Sequence, residues 1–323
     1  MKIILFGNRG SRPIGASAGS PFEQFGGDTS AIGVVAGDQL VALDTGSGFW
    51  KWPYTLKSIF NRAAPYKLNV FYSHYHDDHT MGIAQSPFLF DPRNTIDIYG
   101  PDFDGGPREV FNQKANRPHN PDLSRVYRAS HTFHTLSDSD PVHAVELADG
   151  MKVSWIKNPH GFENSYGYRI EHGGQTLAYI TDTHHQVDVN GAPVLSPAIV
   201  DFIRGADVLI YDSHFSDGEY ATNTKLCQDM GHSTGEQGVR LAKAAGIPIM
   251  VKHHHDPNKI DAELTHETAA LKAYGQARGV AVVAAQPSLC IDLSLPAGQR
   301  APFIEAQKTP AQRYAAIAAQ PPA

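Results

Sequence analysis

Ser73-His74-Tyr75-His76-Asp77-Asp78-His79-Thr80 is the stretch that decides the fold. It sets His74, His76, Asp78 and His79 within one turn-sized segment. The preceding residues 68–72, Leu-Asn-Val-Phe-Tyr, read as a short buried strand, so the cluster falls on the loop leaving that strand's end. In an extended start to the loop, residues two apart point the same way. His74 and His76 can then grip one metal ion, while Asp78 and His79, a turn further on, reach a neighbouring one. Nitrogen and carboxylate ligands without thiolate suit zinc, and manganese or iron also fit. The competing reading is a loop of solvated histidines, against which stands the density of the H-x-H-x-D-H pattern.

Other strand ends share this character. Short apolar runs end in Asp44-Thr45-Gly46, in Asn158-Pro159-His160, in Thr181-Asp182, in Asp212-Ser213-His214 and in His253-His254-His255-Asp256. Any one of these could be a turn aspartate or a cap. Together they predict one rim of a helix-covered sheet collecting a polar site. Ser233-Thr234-Gly235-Glu236 fits a capping box with Ser233 as N-cap, followed by a helix through 237–245 that Gly246 and Pro248 close. A second helix is expected over 261–277. Residues 101–145, rich in Pro, Asn, Asp and Ser, read as an irregular excursion, and the tail from Pro296 onward as a surface or disordered extension.

Composition narrows the function classes. The chain has 323 residues, enough for one large elaborated domain, with 41% hydrophobic and 19% charged residues as in soluble globular proteins. A net charge of −6 argues against a general nucleic-acid surface. Cys227 and Cys290 cannot build a disulfide framework or a thiolate zinc site. The start Met-Lys-Ile-Ile-Leu-Phe-Gly is too short for a signal peptide or membrane span and reads as a first strand, so a cytoplasmic enzyme with no membrane partner is expected. Seventeen histidines require a reason, and a metal site supplies one.

H-x-H-x-D-H after a strand, then His160, Asp182 and a late histidine each after another, resembles the metallo-β-lactamase superfamily. The resemblance implies an α/β fold, a four-layer αββα sandwich, spanning residues 1–295 with an insertion at about 101–145 and leaving 296–323 as a C-terminal extension. Finer motifs look like its ribonuclease Z-like and bacterial phosphodiesterase-like branch. These are Gly7-Asn8-Arg9-Gly10-Ser11, Gly26-Gly27-Asp28-Thr29-Ser30, Leu43-Asp44-Thr45-Gly46, Ser165-Tyr166-Gly167-Tyr168-Arg169-Ile170, Gly231-His232-Ser233-Thr234 and His254-His255-Asp256-Pro257.

Carried over residue by residue, the resemblance puts His74, His76 and His160 on one metal. Asp78, His79 and one of the consecutive His253, His254 and His255 fall on the other, with Asp182 bridging; aligning Asp256-Pro257 with the family motif selects His254, and two Zn2+ ions are expected. Such a pair, roughly 3.5–4 Å apart, can hold a bridging hydroxide for in-line displacement at phosphorus. Asp78 would orient that hydroxide, and the family's Glu-His proton-donor pair maps to Asp212 and His232, with aspartate one methylene shorter than the family's glutamate. Ser233, at a helix start whose N–H groups could face phosphate, and His255 are expected beside substrate, and Asp44 is expected to orient a ligand histidine. His184, His185 and His214 lie on the rim as supports or substrate-lining residues. For His119, His131, His134, His143, His172 and His266 a role outside the site is expected, with His131 and His134 able to contribute to a lid.

The resulting expectation is a binuclear metal-dependent phosphodiesterase acting on a small or cyclic-nucleotide diester. Homodimerisation is implied by the resemblance alone. Transfer-RNA 3′ processing is the near alternative; the sequence shows no glycine- and lysine-rich arm, and nucleic acid is not favoured as partner. Hydrolysis of an ester, thioester or lactone is a third reading, weighed against by Gly231-His232-Ser233-Thr234. A retired binding module would have lost ligands, and an oxygen-reducing diiron site would place a glutamate where His76 stands.

Overall fold

The computed structural model describes residues 1–58, 60–139 and 143–295, so the expectation for the 296–323 tail lies outside the described residues. The strands, in chain order, are β1 (Lys2–Gly7), β2 (Ala31–Ala36), β3 (Gln39–Leu43), β4 (Lys67–Phe71), β5 (Thr95–Pro101), β6 (Ser130–Leu136) and β7 (Ala144–Glu146). They continue with β8 (Lys152–His160), β9 (Glu163–His172), β10 (Gln175–Ile180), β11 (Val208–Asp212), β12 (Ile249–His253), β13 (Ala281–Ala284) and β14 (Leu289–Asp292). The α-helices are α1 (Trp52–Ser58), α2 (Asp77–Thr80), α3 (Gly106–Ala115), α4 (Pro197–Ile203), α5 (Asp217–Thr222), α6 (Thr224–Asp229), α7 (Gly235–Ala245) and α8 (Asp261–Gln276). None of the described helices is long and apolar enough to cross a membrane.

Two compact units result. One comprises Met1–Gly15, residues 26–139 and residues 286–295; the other comprises Ala16–Phe25 and residues 143–285. The first holds a seven-stranded sheet in the order β14-β1-β2-β3-β4-β5-β6. Alternation along β4 and β5 sends Leu68, Val70, Ile96 and Ile98 into a core shared with Trp52 and Leu56 of α1 and Val110 and Phe111 of α3. From β3 to β6 the neighbours run parallel, so their C-terminal ends lie on one side. Leu43 pairs with Phe71, which brings the Asp44 turn against the start of the histidine loop.

The second unit holds the order β13-β12-β11-β10-β9-β8-β7. Here β10, β11, β12 and β13 are mutually parallel, with Ile180 opposite Tyr211 and Asp212 opposite His253. Their crossovers carry helices whose apolar faces cover the sheet. Val239, Ala242 and Ala245 of α7 and Leu271 of α8 pack on Ala178, Leu209 and Met250. The α8 face is legible in the spacing of its buried Leu264, Thr268, Leu271 and Gly275.

Several local expectations need correction. The N-cap of α7 is Thr234, whose hydroxyl accepts the Gln237 N–H at 3.1 Å; Ser233 lies one residue too early. The Ser233 hydroxyl is instead held by Tyr211 at 2.9 Å and His185 at 2.8 Å. Gly246, in the left-handed region at φ 73°, closes the helix as predicted. Residues 101–145 are more regular than their polar composition suggested. They contain α3 and the strand β6, whose Phe133 packs against Phe111 of α3. Polar residues on an edge strand and on a helix's outer face account for the misreading, because half of such an element needs no apolar side chain. His131 sits in that packing beside Phe111 and Phe133, while His134 bonds Asp97 at 3.0 Å and stacks on Tyr99. Replacing Thr234 by Ala should lower unfolding free energy by about 1 kcal/mol in a denaturant titration; an unchanged midpoint would remove the cap from this residue.

Candidate metal centre

In the first unit, the site is built around Asp44, fully buried just past β3 with φ 59°. A non-glycine residue in that left-handed region is held by its surroundings at some cost. Asp44 Oδ1 accepts the Ser73 N–H at 2.8 Å, and Oδ2 accepts the Ser73 hydroxyl and His79 Nδ1–H, both at 2.8 Å. A carboxylate only accepts, so the proton of His79 sits on Nδ1 and its Nε2 keeps a lone pair. The expected hydrogen bond from Asp44 to a histidine of the cluster is therefore present. Ser73 having given its proton to Asp44, its oxygen takes His74 Nδ1–H at 3.0 Å, which fixes the second tautomer.

His74 Nε2 lies 2.9 Å from His76 Nδ1, and His79 Nε2 lies 3.2 Å from Asp78 Oδ2. His74, Asp78 and His79 are buried, whereas His76 is exposed. The backbone N–H of Ser11 donates to Asp78 Oδ2 at 2.7 Å, a support that sequence reasoning missed because a main-chain donor leaves no residue-type signal. Gly46 is required at its position: a Cβ there would stand 2.2 Å from the Asp78 carbonyl oxygen. Lys114 of α3 forms an ion pair with Asp77 beside these residues.

The second unit gathers its residues at the parallel strand ends. Asp182 (φ 46°) follows β10, Asp212 ends β11, and His254 (φ 59°) follows β12. Asp182 Oδ2 accepts the Thr181 hydroxyl at 2.6 Å. Its Oδ1 faces His254 Nε2 at 3.3 Å, His160 Nε2 at 3.8 Å and His232 Nδ1 at 3.9 Å. His160, the last residue of β8, donates Nδ1–H to the Gly231 carbonyl at 2.8 Å, leaving Nε2 as the nitrogen turned toward Asp182. Gly231, at φ 81°, has no room for a Cβ, which would meet His160 Nδ1 at 2.2 Å. This requirement explains the glycine of Gly231-His232-Ser233-Thr234.

Asp212 is fully buried, and its Oδ2 accepts His232 Nδ1–H at 2.9 Å and the Thr183 N–H at 3.2 Å. Its Oδ1 accepts the His214 N–H at 3.1 Å. The aspartate is thus long enough to hold His232. The side chains of both predicted substrate contacts are buried and hydrogen-bonded within the protein. Ser233 is fully buried with its hydroxyl engaged as above, and His255 bonds the Ala285 carbonyl at 2.9 Å and packs edge-on to Phe25. Three adjacent histidines on a strand end must point in different directions, and here that geometry sends His255 inward. His184 accepts the Gly161 N–H at 3.2 Å. His185 stacks on Tyr220, and burial pulls its pKa down to about 4. Burial likewise holds the His214 imidazole well below the ordinary histidine range, helped by the neighbouring His232 and His254 rings.

These donors fit a divalent cation. The buried His160 and His254 imidazole nitrogens lie 3.8 and 3.3 Å from Asp182 Oδ1, spacings open enough for an ion. The ligand types are those of zinc or a similar first-row metal.

A family model described as the beta-lactamase superfamily domain matches residues 41–255. A ribonuclease Z of Thermoplasma acidophilum is 24% identical over 308 residues, covering 83% of this chain and 91% of that protein. Among solved structures, Zn2+-bound PqqB from Methylobacterium extorquens has a TM-score of 0.62 at 19% identity, covering 91% of this chain and 100% of that one. A diphosphatase of the PhnP family has a TM-score of 0.57 at 19% identity, covering 91% and 98%. The chain belongs to the beta-lactamase superfamily; it has that superfamily's α/β sandwich fold and is a metal-dependent hydrolase.

Two expected outcomes follow from this chemistry. Asp44→Asn leaves His79 without its acceptor, so affinity for zinc in a chelator competition should fall about 10–100-fold; an unchanged affinity would detach Asp44 from metal binding. For His185, the folded pKa of about 4 lies below the unfolded value of 6.5. Between those values the unfolded chain binds a proton that the folded one does not, so stability declines as pH falls through that window, by up to about 1.4 kcal/mol per pH unit. His185→Gln should flatten that acid limb in denaturant titrations run from pH 6.5 to 4, and an unchanged limb would assign it to other groups.

Proposed function

We propose that this hydrolase cleaves phosphodiester bonds in a small substrate, a cyclic nucleotide or related diester, using two divalent ions, most readily zinc. The observation that carries the proposal is the buried Asp212–His232 pair at 2.9 Å beside Asp182. A diester with an alkoxide leaving group needs a proton delivered to the departing oxygen, whereas thioesters and activated esters do not. With Nδ1–H committed to Asp212, His232 presents Nε2 for that transfer, and the Asp212 carboxylate stabilises the charged ring.

His74, His76 and His160 would hold one ion, and Asp78, His79 and His254 the other, with Asp182 shared. Bound there, the ions supply positive charge that polarises the phosphoryl group and activates water. Asp78, fixed by the Ser11 N–H, would orient the attacking water. Residues 1–295 would form one catalytic domain, and a homodimer is proposed on the family resemblance.

Transfer-RNA 3′ processing is a second reading, favoured by relatives named ribonuclease Z. The net charge of −6 speaks for the smaller substrate.

A screen of zinc- and manganese-loaded protein against cyclic nucleotides, precursor transfer RNA, bis-p-nitrophenyl phosphate and activated thioesters separates these readings. Diester cleavage abolished by chelator and by Asp182→Asn is expected, with close to two metal ions per chain by elemental analysis. Thioester cleavage with diesters untouched would end the phosphodiesterase proposal. His232→Ala should keep its metal and lose roughly 10²–10⁴-fold in turnover of alkyl diesters, and less with p-nitrophenyl leaving groups.

A further inference from the structure

His214 has no part in the assignment above, yet it is built into the same cluster. It is 3% exposed and stacks on His232, with ring centroids 4.6 Å apart and 14° between planes. His254 lies at 5.8 Å on another side, and the three residues offer ring nitrogens all within 4.8 Å of one another. Asp212 fixes the backbone of His214 through Oδ1 and the ring of His232 through Oδ2. A single carboxylate therefore sets two imidazoles side by side.

Stacking alone does not account for a histidine here. Nδ1 of His214 is buried and has no hydrogen-bond partner. An unsatisfied buried polar atom is costly, and phenylalanine would supply the same ring contact without it. Nor do the two rings converge on one ion. A ligand nitrogen directs its lone pair in the ring plane, and two stacked, nearly parallel planes cannot both contain the same ion. Two ring nitrogens in separate planes suit a group that spreads several acceptor oxygens over a few ångströms, as a phosphoryl group does.

We propose that His214 is a substrate-contacting residue whose ring N–H donates to a non-bridging phosphoryl oxygen, next to the oxygen served by His232. The proposal rests on the phosphodiesterase reading. Neutral imidazole always carries one N–H, and a donor to a charged oxygen makes one of the stronger hydrogen bonds.

The test uses full-length zinc-loaded protein and inorganic phosphate as the probe, so that it does not depend on turnover. His214→Phe should retain the metal content of the unmodified chain and bind phosphate about tenfold more weakly by calorimetry. His214→Gln, which keeps an N–H donor, should recover part of that affinity and serves if the phenylalanine variant does not fold. Equal phosphate affinity in the unmodified chain and both folded variants would reduce His214 to a packing residue. Loss of metal in either variant would make it a ligand instead and would equally overturn the proposal. Cleavage of bis-p-nitrophenyl phosphate by the unmodified chain is measured alongside: its absence would sink the phosphodiesterase reading, whereas the phosphate comparison judges His214 alone.

Discussion

Asp182 is the residue on which the arrangement of the second unit depends. It is 1% exposed, sits in the left-handed backbone region, and turns one oxygen toward three imidazoles at 3.3–3.9 Å. Taking a carboxylate out of water is expensive unless opposite charge or hydrogen bonds compensate. The Thr181 hydroxyl secures one oxygen at 2.6 Å, and the Ser165 hydroxyl holds the Asp182 carbonyl at 2.8 Å. The carboxylate is thereby aimed before any ligand arrives. His160 and His232 are aimed with it, because Gly231 and Asp212 take their Nδ1 protons. A site whose donors are fixed by the fold loses little entropy on binding an ion.

What brings these residues together is strand direction. Parallel neighbours end on the same side, and the register of β10, β11 and β12 places Ile180, Tyr211 and His253 within one residue of level. Asp182, Asp212 and His254 lie at that edge. In the first unit, the parallel β3–β4 pair does the same for Asp44 and Ser73. Asp44, Asp182 and His254 share positive φ values, so the chain turns sharply at each strand end. Local strain of this kind persists where surrounding hydrogen bonds overdetermine it, and it clusters at functional sites.

That logic also explains what could be read from the sequence. Apolar runs ending in Asp or His signal parallel strands with a common edge, and the runs ending at Asp44, Asp182 and Asp212 do lie at such ends. Residues whose identity follows from packing were less legible. Ser233 and Thr234 are adjacent and both can cap, and only the rotation of the chain decides that Thr234 meets the helix while Ser233 meets Tyr211. His253, His254 and His255 pose the same problem, since one residue of rotation separates a side chain facing Asp182 from one facing Phe25. Ser11 acts through its main chain and carries no side-chain signal. In residues 101–145, polar composition concealed α3 and β6 because an edge strand exposes what an inner strand buries.

Asp212 ties His232 to the sheet edge. As the last residue of β11 it is held in the ladder opposite His253, so its Cα cannot drift from the sheet edge. The Thr183 and His214 N–H groups both turn back onto the carboxylate, and the isolated bridge between Phe215 and Thr234 ties the following loop to the segment carrying His232. His232 meets the carboxylate at 2.9 Å. The ring of His214 stacks on that of His232. One carboxylate thus holds the ring of His232 and also fixes the backbone of the residue stacked against it.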